Sequence, residues 1–295
     1  MTLDDWLRSH RFLDPLAQVR RRIDAAVEAS PTPLPVPSGW DEYVEDYASG
    51  LPLLHSEVPI DLEPAGQAVV TVLQNLASGP QCATLAEDAA ALSSQLRQDR
   101  LAPRRVIEWL LGDESWEAAR PGVLRSVGWI TLSAALRPVV DAFAEWRDHD
   151  RWLRRYCPTC GALPAMAHLV GIDPGRVRFL VCGRCASEWR FGRTGCPFCE
   201  TASHRLASVG ISGEGGLRID YCETCRGYLK AYGGQGDEQV LLADWTSLHL
   251  DLVARDRGLK RMAVSLYDLG LGQPDAAPRP IGRKLPMLAV TCPPA

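Results

Sequence analysis

Four Cys-x-x-Cys pairs follow one another between residues 157 and 225: Cys157/Cys160, Cys182/Cys185, Cys196/Cys199 and Cys222/Cys225, eight of the chain's ten cysteines. Two thiolates two residues apart can grip one cation from a single tight turn, and two such turns complete a tetrahedral sphere. Eight ligands therefore imply two metal ions. The stretch also reads as an internal duplication. CPTCGALPAMAHLVGIDPGRVRFLVCGRCASEWRF (157–191) lies over CPFCETASHRLASVGISGEGGLRIDYCETCRGYLKAY (196–232), with matching cysteines, a shared Val-Gly-Ile core and an aromatic after each second pair. Each copy holds one pair, a turn-rich hairpin (Asp173-Pro174-Gly175 or Gly213-Glu214-Gly215-Gly216), a short apolar strand and a second pair. The duplication predicts that each copy closes its own site, Cys157, Cys160, Cys182 and Cys185 on the first ion and Cys196, Cys199, Cys222 and Cys225 on the second. An interleaved arrangement, joining the first turn to the third, stays open on spacing alone.

Disulfides are the competing reading of eight cysteines. The start MTLDDWLRSHRFLDP shows no charged n-region, apolar h-region or cleavage site, which points to a reducing compartment where paired thiols serve metals more than cystines. A redox dithiol would need no second pair some twenty residues downstream. Each copy is only about 40 residues long, too short to fold on its own apolar core. A structural metal ion contributes about 10 to 16 kcal/mol in zinc-finger peptides, enough to close that gap. Four protein sulfurs leave no open coordination position, so such a site can hold structure or pass electrons but cannot activate water.

The chain has 295 residues, 46% hydrophobic and 23% charged, ordinary values for a soluble protein long enough for two domains. Its longest apolar stretch, Val127 to Val140, is broken by Ser133, Arg137 and Pro138 and falls short of the roughly 20 residues a membrane span needs. A net charge of −4 argues against general nucleic-acid affinity. Basic residues do gather around the cysteines: Arg176, Arg178, Arg184, Arg190, Arg193, Arg205, Arg218, Arg226 and Lys230. Balancing the negative thiolate sites is their simplest role, and a docking patch for an acidic partner is the alternative.

Apolar spacing predicts helices through the first half: two over residues 1–29, then 40–48, 64–76, 82–99, 101–111 and 121–146, the last kinked or split by Pro138. Pro31, Pro33, Pro35 and Pro37 make an extended strap. His10, His55 and His149 are scattered, and no chemistry attaches to them. His168 and His204 lie inside the repeats, but eight cysteines already satisfy two ions. Cys82 reads as a small buried side chain. Residues 240–255 carry an amphipathic stripe, and 273–295, with Cys292, read as a strap or loose end. The fold class expected is α plus small β. A helical domain (1–152) precedes two tandem rubredoxin- or zinc-ribbon-like four-cysteine modules (153–193 and 194–235), and a C-terminal helix with a Pro-rich tail follows (236–295).

At CPTCGALPAMA, CGRCASEWRFGRTGCPFCE and YCETCRGYLK the chain resembles the FdhE family of formate dehydrogenase accessory proteins, and the likeness extends to the helix with Asp244, Leu248 and Asp251. The resemblance implies a cytoplasmic protein without catalytic activity of its own. It also implies rubredoxin-type iron on the eight cysteines and, as partner, the catalytic subunit of a molybdenum- or tungsten-dependent formate dehydrogenase. The spacing itself suits zinc as well as iron, and zinc binds more tightly than ferrous iron in the usual affinity series. The CPTCG turn looks like a rubredoxin knuckle in which Gly161 relieves an awkward backbone angle. Two other functions stay open: a zinc-ribbon nucleic-acid binder, and a rubredoxin-like electron-transfer component.

Overall fold

A computed structural model describes residues 1–79, 83–113, 115–172, 175–201, 205–234 and 236–269. Cys82, Asp173, Pro174, His204, Cys292 and the tail 273–295 lie outside these. Nine α-helices and seven strands occur among the described residues. The chain divides into two compact units, each discontinuous in sequence: Arg11–Val36, Ile60–Val139 and the residues from Leu266 in one, Met1–His10, Pro37–Pro59 and Val140–Ser265 in the other. This division does not follow the boundary drawn from sequence at residue 152. It falls instead inside a helix, one residue past Pro138.

The first unit is helical: α2 (Asp14–Glu28), α4 (Glu63–Ala77), α5 (Ala83–Arg97), α6 (Ala102–Leu111) and most of α7 (Pro121–Trp146). Helix α4 packs against α2, α5 and α6. Its Ala65, Val69, Val72 and Leu73 are completely buried, recurring at the three- and four-residue spacing that lines one helix face. Proline at the start of α2, α4 and α6 costs nothing there, because the first turn has no internal acceptor for the missing N–H. Helix α7 continues through Pro138, so the helix is not split there. Leu136, Val139 and Phe143 are fully buried beside it, and that packing outweighs the one lost hydrogen bond. By length and composition α7 passes for a membrane span, longer than the stretch read from sequence, yet 61% of its most apolar window is buried, as in a core helix. The Pro-rich strap has no regular secondary structure and is anchored by Leu34, which is buried and donates its N–H to the Ala135 carbonyl at 2.9 Å.

The second unit holds the sheet: β1 (Met166–Val170), β2 (Val177–Val181), β3 (Glu188–Arg190), β4 (Leu206–Gly210), β5 (Leu217–Cys222), β6 (Gly227–Tyr232) and β7 (Lys260–Arg261). Strand order is β3-β2-β1-β6-β5-β4, with β7 beside β6. Each repeat contributes a three-stranded antiparallel meander, and the two join where β1 pairs parallel with β6 in the register Met166↔Lys230, Ala167↔Ala231, His168↔Tyr232. The tandem modules therefore share one continuous sheet. Every residue of β6 is buried, as a strand covered on both faces must be.

The single helix expected over 240–255 is instead α8 (Glu238–Leu241), a 3-10 turn (Asp244–Ser247) and α9 (Leu248–Asp256). A buried ion network breaks it. Lys230, fully buried on β6, reaches Asp244 Oδ1 at 2.7 Å, the Asp244 carbonyl at 2.8 Å and Asp251 Oδ2 at 3.1 Å. Arg261 pairs with the same two carboxylates at 2.7 and 2.9 Å, and Tyr228 donates its hydroxyl to Asp251 at 2.6 Å. Two cations and two carboxylates balance. The Asp244 carboxyl is held down to about 2: burial opposes its ionisation, but Arg261 and Lys230 more than offset that. Lys230 thus belongs to this network and not to the charge around the thiolates.

Candidate metal centres

Each Cys-x-x-Cys pair occupies the same turn. The residue after the second cysteine donates its N–H to the carbonyl of the first: Gly161 to Cys157 at 2.9 Å, Ala186 to Cys182 at 3.2 Å, Glu200 to Cys196 at 2.9 Å and Arg226 to Cys222 at 2.9 Å. That residue is left-handed in all four turns, with φ of 72°, 58°, 61° and 61°. Only the first is the glycine that this conformation favours. The turn also aims amides at sulfur: Arg184 N–H at Cys182, Phe198 N–H at Cys196 and Gly227 N–H at Cys225, each at 3.4 Å. Hydroxyls of Ser187 and Thr201 lie 3.2 Å from the sulfurs of Cys185 and Cys199. Donors of this kind stabilise thiolate and tune a bound metal.

These turns bring the eight sulfurs into two quartets, Cys157, Cys160, Cys182 and Cys185 in one and Cys196, Cys199, Cys222 and Cys225 in the other, with all four atoms of each within 4.8 Å of one another. The grouping is repeat by repeat, not interleaved. All eight are free thiols. In the first quartet Cys157–Cys185 and Cys160–Cys182 are 3.5 Å apart and Cys160–Cys185 3.6 Å; in the second Cys196–Cys225 and Cys199–Cys222 are both 3.7 Å apart. Sulfurs set tetrahedrally about 2.3 Å from an ion would be about 3.8 Å apart, so both quartets fit one ion each with little adjustment. Zinc and iron satisfy this geometry alike.

Four thiols so close cannot behave independently. Hydrogen bonds to Cys157, Cys182 and Cys185 hold the Cys160 thiol well above its ordinary value, and burial does the same to Cys182. Burial also opposes ionisation of Cys185, yet its contacts with the other three sulfurs and Ser187 pull it well below. In the second quartet burial pushes Cys196 up to about 12, while Thr201 draws the exposed Cys199 down to about 6. A bound cation would let all four thiols of a quartet ionise.

A segment of the N-terminal half, missed in the sequence, backs the first quartet. Leu53 and Leu54 donate their N–H groups to the carbonyls of Pro158 and Thr159 at 2.8 and 2.9 Å, and the Tyr156 hydroxyl reaches the Gly50 carbonyl at 2.8 Å. A Cβ at Gly161 would lie 3.2 Å from Pro52. Trp152 stacks on Tyr47, and Trp189 is fully buried and donates to the Arg154 carbonyl. The arginines mostly satisfy local partners: Arg178 the carbonyls of Gly192 and Gly195, Arg226 that of Arg257, Arg218 the carboxylate of Asp220, Arg190 that of Asp150. His168 stacks on Tyr232 and faces Glu188 and Glu238, apart from both quartets.

The sequence profile of the FdhE central domain matches residues 156–193, the first quartet and its meander. Residues 156–193 are thus similar to the FdhE central domain. Similar proteins include the FdhE homolog of Aquifex aeolicus, 31% identical over 133 residues, which are 43% of this chain and 47% of that one. The FdhE homolog of Pseudomonas aeruginosa is 35% identical over 124 residues, 38% of this chain and 39% of its own. The chain thus aligns with less than half the length of these relatives. The crystal structure of the FdhE protein from Pseudomonas aeruginosa superposes with a TM-score of 0.57 at 22% identity, over 92% of this chain and 97% of that one, so the likeness of fold reaches well beyond the FdhE central domain.

Proposed function

We propose that this chain is a formate dehydrogenase accessory protein. In this reading its eight cysteines hold two metal ions, one per quartet, within two modules spanning 153–193 and 194–235. The protein acts in the cytoplasm on the catalytic subunit of a molybdenum- or tungsten-dependent formate dehydrogenase and performs no turnover of its own. The observation that carries the reading is the pair of closed sulfur quartets in a chain whose residues 156–193 are similar to the FdhE central domain. An ion held by four protein sulfurs supplies rigidity and, if it is iron, one-electron exchange, with no position left for substrate or activated water. The chain's own residues fix the cage: left-handed turns bring the sulfurs together, and amides and hydroxyls stabilise their charge.

The test is complementation and capture. A strain lacking its own FdhE, and therefore formate dehydrogenase activity, should regain activity with this chain but not with its C157S/C160S variant, and tagged protein should recover the catalytic subunit. Restoration by both forms, or failure of both restoration and recovery, would overturn the reading. Iron, as the family resemblance implies, would make the purified protein red; a colourless protein with two zinc ions would remove any redox part of the role.

A further inference from the structure

Outside the quartets, one other cluster among the described residues brings metal-ligating side chains together. His10, at the end of α1 (Leu3–Ser9), and His249, in α9, both direct Nε2 at one carboxylate oxygen of Glu214, at 3.2 and 2.8 Å. The three ligand atoms lie within 4.8 Å of one another, and the side chains are 8%, 14% and 14% exposed. Three stretches far apart in sequence meet here, all within the unit that holds the sheet.

The hydrogen bonding of His10 decides what the cluster is for. Its Nδ1 lies 2.9 Å from the Trp6 carbonyl and 3.2 Å from the Ser9 hydroxyl, and because that hydroxyl donates to the same carbonyl at 3.0 Å, Nδ1 carries the hydrogen. Nε2 of the neutral ring then presents its lone pair towards Glu214, where either a shared proton or a metal ion can sit. An imidazole whose far nitrogen donates to a backbone carbonyl is the arrangement that presents a histidine to a metal. The support is itself anchored: Trp6 stacks on the His10 ring at 3.7 Å between centroids and donates its indole N–H to the Thr246 carbonyl at 2.9 Å. Glu214 is held in place by the β4–β5 turn, where Gly213, Gly215 and Gly216 all take positive φ. Nitrogen and oxygen ligands about 2.1 Å from an ion are spaced about 3.0 to 3.4 Å, close to the separations seen.

We propose that His10, His249 and Glu214 form a third metal site, binding one borderline divalent cation of the zinc type through two imidazole nitrogens and one carboxylate oxygen. Unlike the quartets it keeps at least one coordination position for water or a ligand from outside, as three-ligand zinc sites do. An ion there ties the N-terminal helix to the second meander and to α9.

The experiment uses the full chain with both quartets filled with zinc, dialysed against rising free Zn²⁺ and analysed for metal content. Wild type should saturate at three zinc ions per chain, and E214Q and H249A at two, with the third-site Kd raised at least about 10-fold. Retention of two ions reports that each variant is folded, and the isosteric E214Q covers the case in which H249A is not. Cobalt(II) added as the third equivalent should give weak ligand-field bands without sulfur-to-metal charge transfer. Saturation at two ions in wild type would mean that only a proton bridges His10 and Glu214. That result, three ions retained in both variants, or sulfur charge transfer from the third equivalent would each overturn the proposal. None of these readings depends on a formate dehydrogenase, so they stand or fall apart from the accessory role.

Discussion

The four left-handed residues that close the cysteine turns show what one position contributes. Gly161 was legible in the sequence because glycine is the residue such a turn asks for. Ala186, Glu200 and Arg226 were not, since each carries a Cβ the turn only tolerates, and only their place after a second cysteine links them to Gly161. A left-handed non-glycine residue costs about 1 to 2 kcal/mol. Glu200 is exposed, and its ion pair with Arg155 at 3.9 Å is worth little. E200G should therefore raise stability by about 1 kcal/mol, read as a higher denaturant midpoint for metal-loaded protein; a lower midpoint would contradict the account of the turn. The sulfurs make a second prediction. Cys160 and Cys182 have thiols held above the ordinary value, so they are protonated at neutral pH and must release protons when they ligate. Metal affinity should rise with pH across the neutral range, and calorimetry in buffers of different ionisation enthalpy should register proton release; affinity independent of pH would be contrary evidence. The histidines were the opposite case. His10 and His249 are 239 positions apart, and no local spacing announces that they share Glu214.

Among elements, the repeat was readable because duplicated cysteines, turns and apolar strands align, and the repeat-wise quartets follow from it. The parallel pairing of β1 with β6 was not, since either meander alone satisfies the local pattern and only the assembled sheet joins them. That junction bears on how far the sites are independent. C157S should lose the first ion while the second, held by its own three antiparallel strands and β7, is retained at lower thermal stability. Metal analysis beside thermal unfolding checks this, and loss of both ions would show that the quartets form one unit. The break between α8 and α9 escaped the sequence for a related reason: the amphipathic stripe was present, but Lys230 and Arg261 pull Asp244 out of helical register. Removing one member of a buried ion network exposes the others to an uncompensated charge, at a cost of about 3 to 5 kcal/mol. K230M should accordingly lower the urea midpoint while leaving two ions bound; an unchanged midpoint would mean that the network contributes no stability.

Across the whole molecule, helix-rich first half and cysteine-rich second half were both apparent from periodicity and motif. The compact units were not, because residues 1–10 and 37–59 belong with the sheet and, although the Pro-rich strap marks one boundary, another lies within α7. Segment 37–59 could not be assigned from its own pattern because its partners, Pro158 and Thr159, sit in a turn more than 100 residues later. Two sulfur cages stand in for cores too small to hold themselves. X-ray absorption at the metal edge, combined with metal analysis of freshly purified full-length protein, tests this most directly. Two ions per chain are expected in the quartets, each with four sulfurs at about 2.3 Å, and any nitrogen or oxygen neighbour belongs to a third ion outside them. Well-folded protein without metal, or with its thiols oxidised to cystines, would contradict it.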